Sequence, residues 1–326
     1  MNTRQDQGTA PRKVLFFSQD GKLGDAIVNT AFVAALHRAA PACEIHVTVA
    51  GATTSFWGAD PRIHRLWTLQ CPGWSDTVRT GLAMRRERFD YIVTWQPLRK
   101  EKNKLLLWLA NAGKVIDLRA YHAGPLRHKV EACGAVLAEM GLAPGAELRY
   151  DIGMTACCAN IDQLLPAGPE VMLLNLFAAD AERTIAPEQA EAMLVGLRQI
   201  APEAQLCLVC TDATAPRALA VLAASGVAGE VVNCDGDLPR LLRLCQRADL
   251  TISPDTALIH IASAYQRAVV GIYQNNGEKS VLWGPRTRLE ARVLSGDPHS
   301  IAGFDVEEVL RAVCTLRAGS GYRAGD

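Results

Sequence analysis

Short apolar runs alternate with helical patterns along nearly the whole chain, and this alternation limits the folds open to it. Strand-like runs at residues 14–18, 44–49, 65–68, 91–94 and 114–117 alternate with helical stretches such as 25–40, 75–86 and 128–140. In the first of these helices Ile27, Ala31, Val33, Ala34 and Leu36 recur at helical spacing. The pattern restarts with strands at 171–174, 205–210, 231–234, 250–252 and 268–272, and helices at 187–200, 215–224, 238–247 and 256–265. Strands separated by helices cannot pair through hairpins. They require crossover connections, hence parallel sheets covered by helices on both faces. The segments Ala143-Pro144-Gly145-Ala146 and Leu165-Pro166-Ala167-Gly168-Pro169 interrupt the alternation. We therefore expect an α/β protein of two domains, 1–160 and 161–326, linked between about 145 and 170. A last helix is expected at 306–317.

Charge and cysteine usage exclude several classes. The 34 Lys and Arg residues balance the 34 Asp and Glu residues, which argues against a nucleic-acid binder. No run of about 18 apolar residues occurs, so no membrane-spanning helix is expected. The polar N-terminus, residues 1–12, lacks the apolar core of a signal peptide, and the expected compartment is the cytoplasm, with reduced thiols. Cys207 and Cys210 lie in a strand-like run, where residues three apart face opposite sides, and Cys157-Cys158 has no second pair nearby. No metal site is expected.

Two strand-to-helix junctions carry the candidate chemistry. In the first, Gly21-Lys22-Leu23-Gly24-Asp25 joins the first strand to the first helix, but the G-x-G-x-x-G dinucleotide signature is absent. In the second, Ser253-Pro254-Asp255-Thr256-Ala257-Leu258-Ile259-His260 follows the strand at 250–252 and opens a helix. The first turn of a helix presents free N–H groups and a positive dipole end, which suits an anion such as a diphosphate. Asp255 or Thr256 caps that turn, and His260 lies about one turn deeper. Asp25, Asn175, Asp212 and Asp255 all follow predicted strands, and ligands of open parallel sheets sit at the carboxyl ends of strands.

These segments resemble glycosyltransferase family 9, which contains the lipopolysaccharide heptosyltransferases. The resemblance rests on Gly21–Thr30 and Ser253–Ala264, on Leu173-Leu174-Asn175-Leu176-Phe177-Ala178 with Arg183 and Pro187-Glu188, and on Val269–Tyr273 with Leu282-Trp283-Gly284-Pro285. It spans roughly residues 13–316. It implies a GT-B architecture, two Rossmann-like domains facing across a cleft, with the acceptor on the N-terminal domain, the nucleotide sugar on the C-terminal one, and the last helix crossing back to the first domain. By resemblance Asp25 is the general base. Asn175, Arg183, Thr184, Asp255, Thr256, Ala257 and His260 belong to the donor site, with Asp255 orienting hydroxyls of the sugar. Asp212 is a candidate for the ribose hydroxyls and Gly236 for the base pocket. The chain departs from the family where Leu176 replaces a proline.

The resemblance further implies an inverting transfer of heptose from ADP-heptose to a lipopolysaccharide core sugar, without a metal or other cofactor. The alternatives are a transferase for another nucleotide sugar or acceptor, and a non-catalytic sugar-nucleotide binder. Lys22, Arg99 and Lys102 are acceptor-side candidates. Two basic runs, Arg85-Arg86-Glu87-Arg88 and 98–104, face either a phosphorylated lipid-linked oligosaccharide and the anionic inner face of the inner membrane, or plain solvent. Asp235-Gly236-Asp237 spells a metal motif, but its place before a helix is explained by capping.

Overall fold

The computed structural model describes residues 10–18, 21–69, 73–95, 100–122, 127–143, 148–165 and 167–319. Two compact units divide the chain between Met154 and Thr155, within the stretch read as a linker.

The first unit holds strands β1 (Lys13–Phe17), β2 (Glu44–Val49), β3 (Ile63–Thr68), β4 (Tyr91–Thr94) and β5 (Lys114–Asp117). Its helices are α1 (Leu23–Ala39), α2 (Thr53–Gly58), α3 (Trp74–Glu87), α4 (Glu101–Ala110) and α5 (Lys129–Glu139), with a 3-10 turn at Leu118–His122. All strand pairs are parallel, in the order β3-β2-β1-β4-β5. Central β1 is buried from Val14 to Phe17, which explains its unbroken apolar sequence. Helix α1 is buried continuously from Ala26 to Leu36, and it packs against α2 and α5. Its apolar residues therefore surround the helix instead of forming one stripe. Among them Asn29 accepts a hydrogen bond from Trp95 Nε1 at 3.0 Å, and Thr30 Oγ1 accepts one from Asp151 N at 2.9 Å.

The second unit holds α6 (Ala159–Leu164), β6 (Val171–Asn175), α7 (Pro187–Ile200), β7 (Gln205–Cys210), α8 (Ala215–Ser225) and β8 (Glu230–Asn233). It continues with α9 (Leu238–Arg247), β9 (Leu250–Pro254), α10 (Ala257–Ala264), β10 (Ala268–Tyr273), α11 (Lys279–Leu282), β11 (Glu290–Leu294) and α12 (Val306–Gly319). A short 3-10 turn, Ala181–Arg183, follows β6. The six strands are again all parallel, in the order β11-β10-β9-β6-β7-β8. Strands β6, β9 and β10 are buried along their whole length, and their side chains join those of α7 and α12 in one core.

Helix α12 packs on α7, β10 and β11 of its own unit. Its Arg317 grips buried Glu170 through Nε, 3.0 Å from each carboxylate oxygen, and donates to Ile200 O at 2.6 Å. A buried carboxylate needs such a partner, because an unpaired one would be costly. These contacts fasten the last helix to the core of the second unit.

Candidate functional site

Sheet order locates the site in the second unit. From β6 the chain moves outward to β7 and β8, then returns to the other side of β6 to form β9. The loops leaving β6 and β9 therefore diverge, and a crevice opens at the carboxyl ends of these two strands. A pocket of about 400 Å³ occupies this position. Its walls come from Asn175, Phe177, Ala178 and Ala179 after β6, and from Val209, Cys210, Thr211 and Thr214 around the end of β7. Cys234, Leu241 and the start of α10, Thr256 to Leu258, complete it.

Asn175 ties the two diverging loops together. Its Nδ2 donates to Ser253 Oγ and to Thr256 Oγ1, each at 3.1 Å, and its Oδ1 accepts from Phe177 N at 3.2 Å. Thr256 is the N-cap of α10, with Oγ1 accepting from Leu258 N at 3.4 Å. Of the two caps expected, the structure selects Thr256, and Asp255 is left for other work. The N-terminus of α10 thus opens into the pocket with its dipole directed at whatever fills it.

Arg183 stands beside this helix start. Its Nη1 donates to Asp255 O at 2.8 Å and lies 3.9 Å from Asp255 Oδ2, while Nε donates to Asp180 Oδ2 at 3.1 Å. Burial raises the Asp255 carboxyl above its ordinary pKa, and the charges of Arg183 and Lys279 pull against that rise. Thr184 works inside its own loop: Oγ1 accepts from Ala178 N and donates to Asp180 O, both at 3.2 Å.

Other donor-side candidates lie farther out. Asp212 is exposed, accepts from Asn233 Nδ2 at 2.5 Å and follows the pocket residue Thr211 without lining the pocket. Gly236 occupies a left-handed turn (φ +65°) between β8 and α9, also outside the lining. Its neighbour Asp237 caps α9 by accepting from Arg240 N at 2.9 Å, which is the capping role read from the sequence. His260 is buried in α10, and burial lowers its pKa to about 4. The ring is therefore neutral at pH 7 and absent from the pocket wall, so it has no charge with which to pair a diphosphate.

The first unit repeats the geometry. Its strand order turns back between β1 and β4, and α1 follows β1 directly. Asp25 lies in the first turn of α1 and is half-buried. Gly21 in the preceding loop adopts φ +61°, and a Cβ there would lie 3.1 Å from Ala50 O. Only glycine is accommodated without strain. Lys22 is exposed at the N-cap position of α1, and Lys102 lies in the first turn of α4, with its ammonium 5.8 Å from the Trp74 ring. Arg99 lies outside the described residues.

A further cluster, Glu44, His46 and His64, brings three potential metal-ligand atoms within 4.8 Å at the amino ends of β2 and β3. Trp67 Nε1 donates to His46 Nδ1 at 3.1 Å. An indole nitrogen only donates, so His46 Nδ1 holds the lone pair and Nε2 carries the proton. Glu44 Oε2 lies 3.8 Å from Nε2, beyond hydrogen-bond distance, and is already held by Lys13 at 2.8 Å. The cluster thus presents a donor where a metal would need a lone pair.

Sequence reasoning missed Phe177, Thr211, Thr214, Cys234, Leu241 and Lys279. Phe177, Thr211 and Cys234 stand one or two residues past the end of a parallel strand, so counting past each strand end would have found them. Leu241 and Lys279 sit on helices, and only the packing brings them to this end of the sheet.

Two Rossmann-type units, each with its loops gathered at a topological switch point, form the frame of the GT-B glycosyltransferases. Residues 195–302 match the model of glycosyltransferase family 9 (heptosyltransferase). The resemblance read from the sequence is thereby borne out, and the matched segment lies within the second unit. Among solved structures, a glycosyl transferase family 9 protein from Veillonella parvula DSM 2008 is 16% identical, covering 94% of this chain and 97% of that one, with a TM-score of 0.75. The E. coli heptosyltransferase WaaC with ADP is 15% identical over 93% of this chain and 99% of that one, TM-score 0.74. The E. coli ADP-heptose lps heptosyltransferase II is 14% identical over 94% and 99%, TM-score 0.69. At these identities the structures establish a shared fold. A comparison with curated protein sequences finds no match. Among the described residues, no helix is long and apolar enough to cross a membrane.

Proposed function

We propose that this protein is an inverting glycosyltransferase that moves heptose from ADP-heptose to a lipopolysaccharide core sugar. The observation that carries the reading is the pocket at the β6–β9 switch point, which opens on the capped N-terminus of α10 beside Arg183. The chemistry of a nucleoside diphosphate sugar fits that arrangement. The base and ribose lie against Phe177, Val209, Cys210 and the threonines 211 and 214. The diphosphate lies at the N–H groups of α10, where partial positive charge is already oriented.

In the transfer, the Asp25 carboxylate takes the proton of the acceptor hydroxyl. The oxygen attacks the anomeric carbon from the face opposite the nucleotide, and the bond from that carbon to the diphosphate oxygen breaks. The configuration inverts, and the electron pair leaves on the diphosphate. Arg183 and the α10 N-terminus stabilise the leaving charge. Arg183 is suited to this by its planar fork, and it exchanges its bond to Asp180 for one to phosphate. Asp255 has its carboxylate beside the diphosphate position and serves the donor sugar's hydroxyls. The stabilising groups named are all from the protein, so the proposed mechanism uses no metal. The acceptor is lipid-linked, which places the enzyme at the inner face of the inner membrane.

The test is a transfer assay with ADP-heptose and heptose-free core lipid, run beside thermal shifts with ADP, UDP, GDP and CMP. We expect selective stabilisation by ADP that weakens in Arg183→Ala. We expect Asp25→Asn to bind ADP normally and to lose at least about 100-fold in kcat, the usual minimum for a general base. Undiminished transfer by Asp25→Asn would remove the base assignment. Selective stabilisation by another nucleotide would overturn the donor.

A further inference from the structure

Helices α3 and α4 leave a large apolar surface in water. Trp74 is 56% exposed, Val78 37%, Leu82 44% and Trp108 74%. Single exposed apolar residues are ordinary, but two tryptophans on one packed helix pair are not. Their grouping follows from how the helices meet. Both helices follow strands of one parallel sheet, so they run side by side in the same direction. Lys102 over the Trp74 ring brings their N-terminal turns together. Gly81 of α3 lies against Leu109 of α4 so closely that a Cβ on Gly81 would fall 2.6 Å from Leu109 Cβ.

From that contact, one residue forward on α3 is Leu82 and one residue back on α4 is Trp108. In parallel helices facing each other, these steps of about 100° in opposite senses turn both side chains to the same outer side. Val78 precedes Leu82 by four residues and shares its face. Leu82, Val78 and Trp108 therefore form one outward apolar ridge, with Trp74 at its N-terminal edge.

The charge around the ridge has one dominant sign. Segments 74–87 and 100–110 contain six cations, Arg79, Arg85, Arg86, Lys100, Lys102 and Lys104, against three carboxylates. All three carboxylates are paired: Asp76 with Arg79, Glu101 with Lys104 at 3.0 Å, and Glu87 with Lys13 and Arg65, which leaves an excess of three cations on the two helices. The chain as a whole has zero net charge, so this excess is local.

We propose that the α3–α4 face docks on an anionic lipid bilayer, with Trp74 and Trp108 at the headgroup level and the cations over lipid phosphates. Tryptophan favours that interface because its ring is apolar and its N–H polar. The cations supply attraction that a neutral bilayer would lack. This rests on the proposed function only in that a lipid-linked acceptor is met at such a surface. Binding to vesicles is measured without donor or acceptor, so its failure is separable from failure of the transfer assay.

The experiment is sedimentation of the full chain with phosphatidylglycerol-containing vesicles and with pure phosphatidylcholine vesicles. Binding is expected to the anionic vesicles only and to weaken with salt. The variant Trp74→Ser/Trp108→Ser should lose at least about tenfold in binding, and Arg85→Gln/Lys104→Gln a similar factor at low salt. Both should keep the ADP thermal shift, which shows that they fold. No binding to anionic vesicles by the native chain overturns the proposal, as does equal binding by native chain and variants. A concentration-dependent dimer that the tryptophan variant abolishes, with no vesicle binding, would also overturn it and assign the face to a second copy of the chain.

Discussion

Replacing Asn175 by alanine tests the switch-point crevice at its hinge of hydrogen bonds. The side chain is buried and makes three bonds, two to the β9–α10 turn and one to the Phe177 backbone. Neutral hydrogen bonds contribute about 1 kcal/mol each, so their loss amounts to about 3 kcal/mol. Water entering from the pocket restores part of this for Phe177 N–H and Thr256, which leaves about 2 kcal/mol. For a unit of this size that lowers Tm by roughly 4–8 °C. The relevant transition is that of the second unit, since two units need not melt together. The altered Phe177 loop and α10 cap should also weaken ADP by about tenfold, read by calorimetry. Asn175→Asp separates the two effects. It keeps the acceptor for Phe177 N and gains hydroxyl donors from Ser253 and Thr256, so stability falls less. Its charge beside the α10 N-terminus should weaken ADP at least as much as alanine does. A Tm within about 1 °C of the native value together with unchanged ADP affinity in Asn175→Ala would refute this account of the crevice.

Other outcomes follow from the same geometry. Gly21→Ala should cost about 1–2 kcal/mol in the first unit, from its left-handed backbone and the approach to Ala50, and should lower kcat while leaving the ADP shift intact. The buried histidines His46 and His260 have pKa values lowered to about 4, against 6.5 when unfolded. The unfolded state then binds more protons between those values, so stability is full above about pH 6.5 and falls toward pH 4, by about 3 kcal/mol in each unit. Denaturant titrations at pH 7, 5.5 and 4.5 measure the fall, and His260→Leu should flatten it for the second unit alone. Asp255 has the opposite sign: its raised pKa favours the folded state below about 3.8, a benefit lost as pH rises through the folded value. Asp255→Asn should therefore stabilise the second unit at pH 7, with no gain below about pH 4, while reducing transfer. A less stable Asp255→Asn protein at neutral pH would show that its ion pairing outweighs its burial.

The sequence by itself determined the two parallel sheets. Buried strands such as 171–175 and 205–210 need apolar side chains on both faces, and the helices between them need periodic ones, so local composition and element type are the same information. It also located Asp25, Asn175, Thr256 and Ala257 at strand ends, because function in such sheets collects there. Strand order was not legible, since adjacent parallel strands are joined through helices and carry no mark of their neighbours. The return of the chain from β8 to β9 beside β6 made the crevice, and with it the roles of Phe177, Thr211, Cys234 and Leu241. Tertiary packing also gave Thr184 to its own loop and buried His260, while Thr256 to Leu258, at the start of the same helix, line the pocket. A helix turns successive residues by about 100°, and only the packing around it decides which of them faces the ligand.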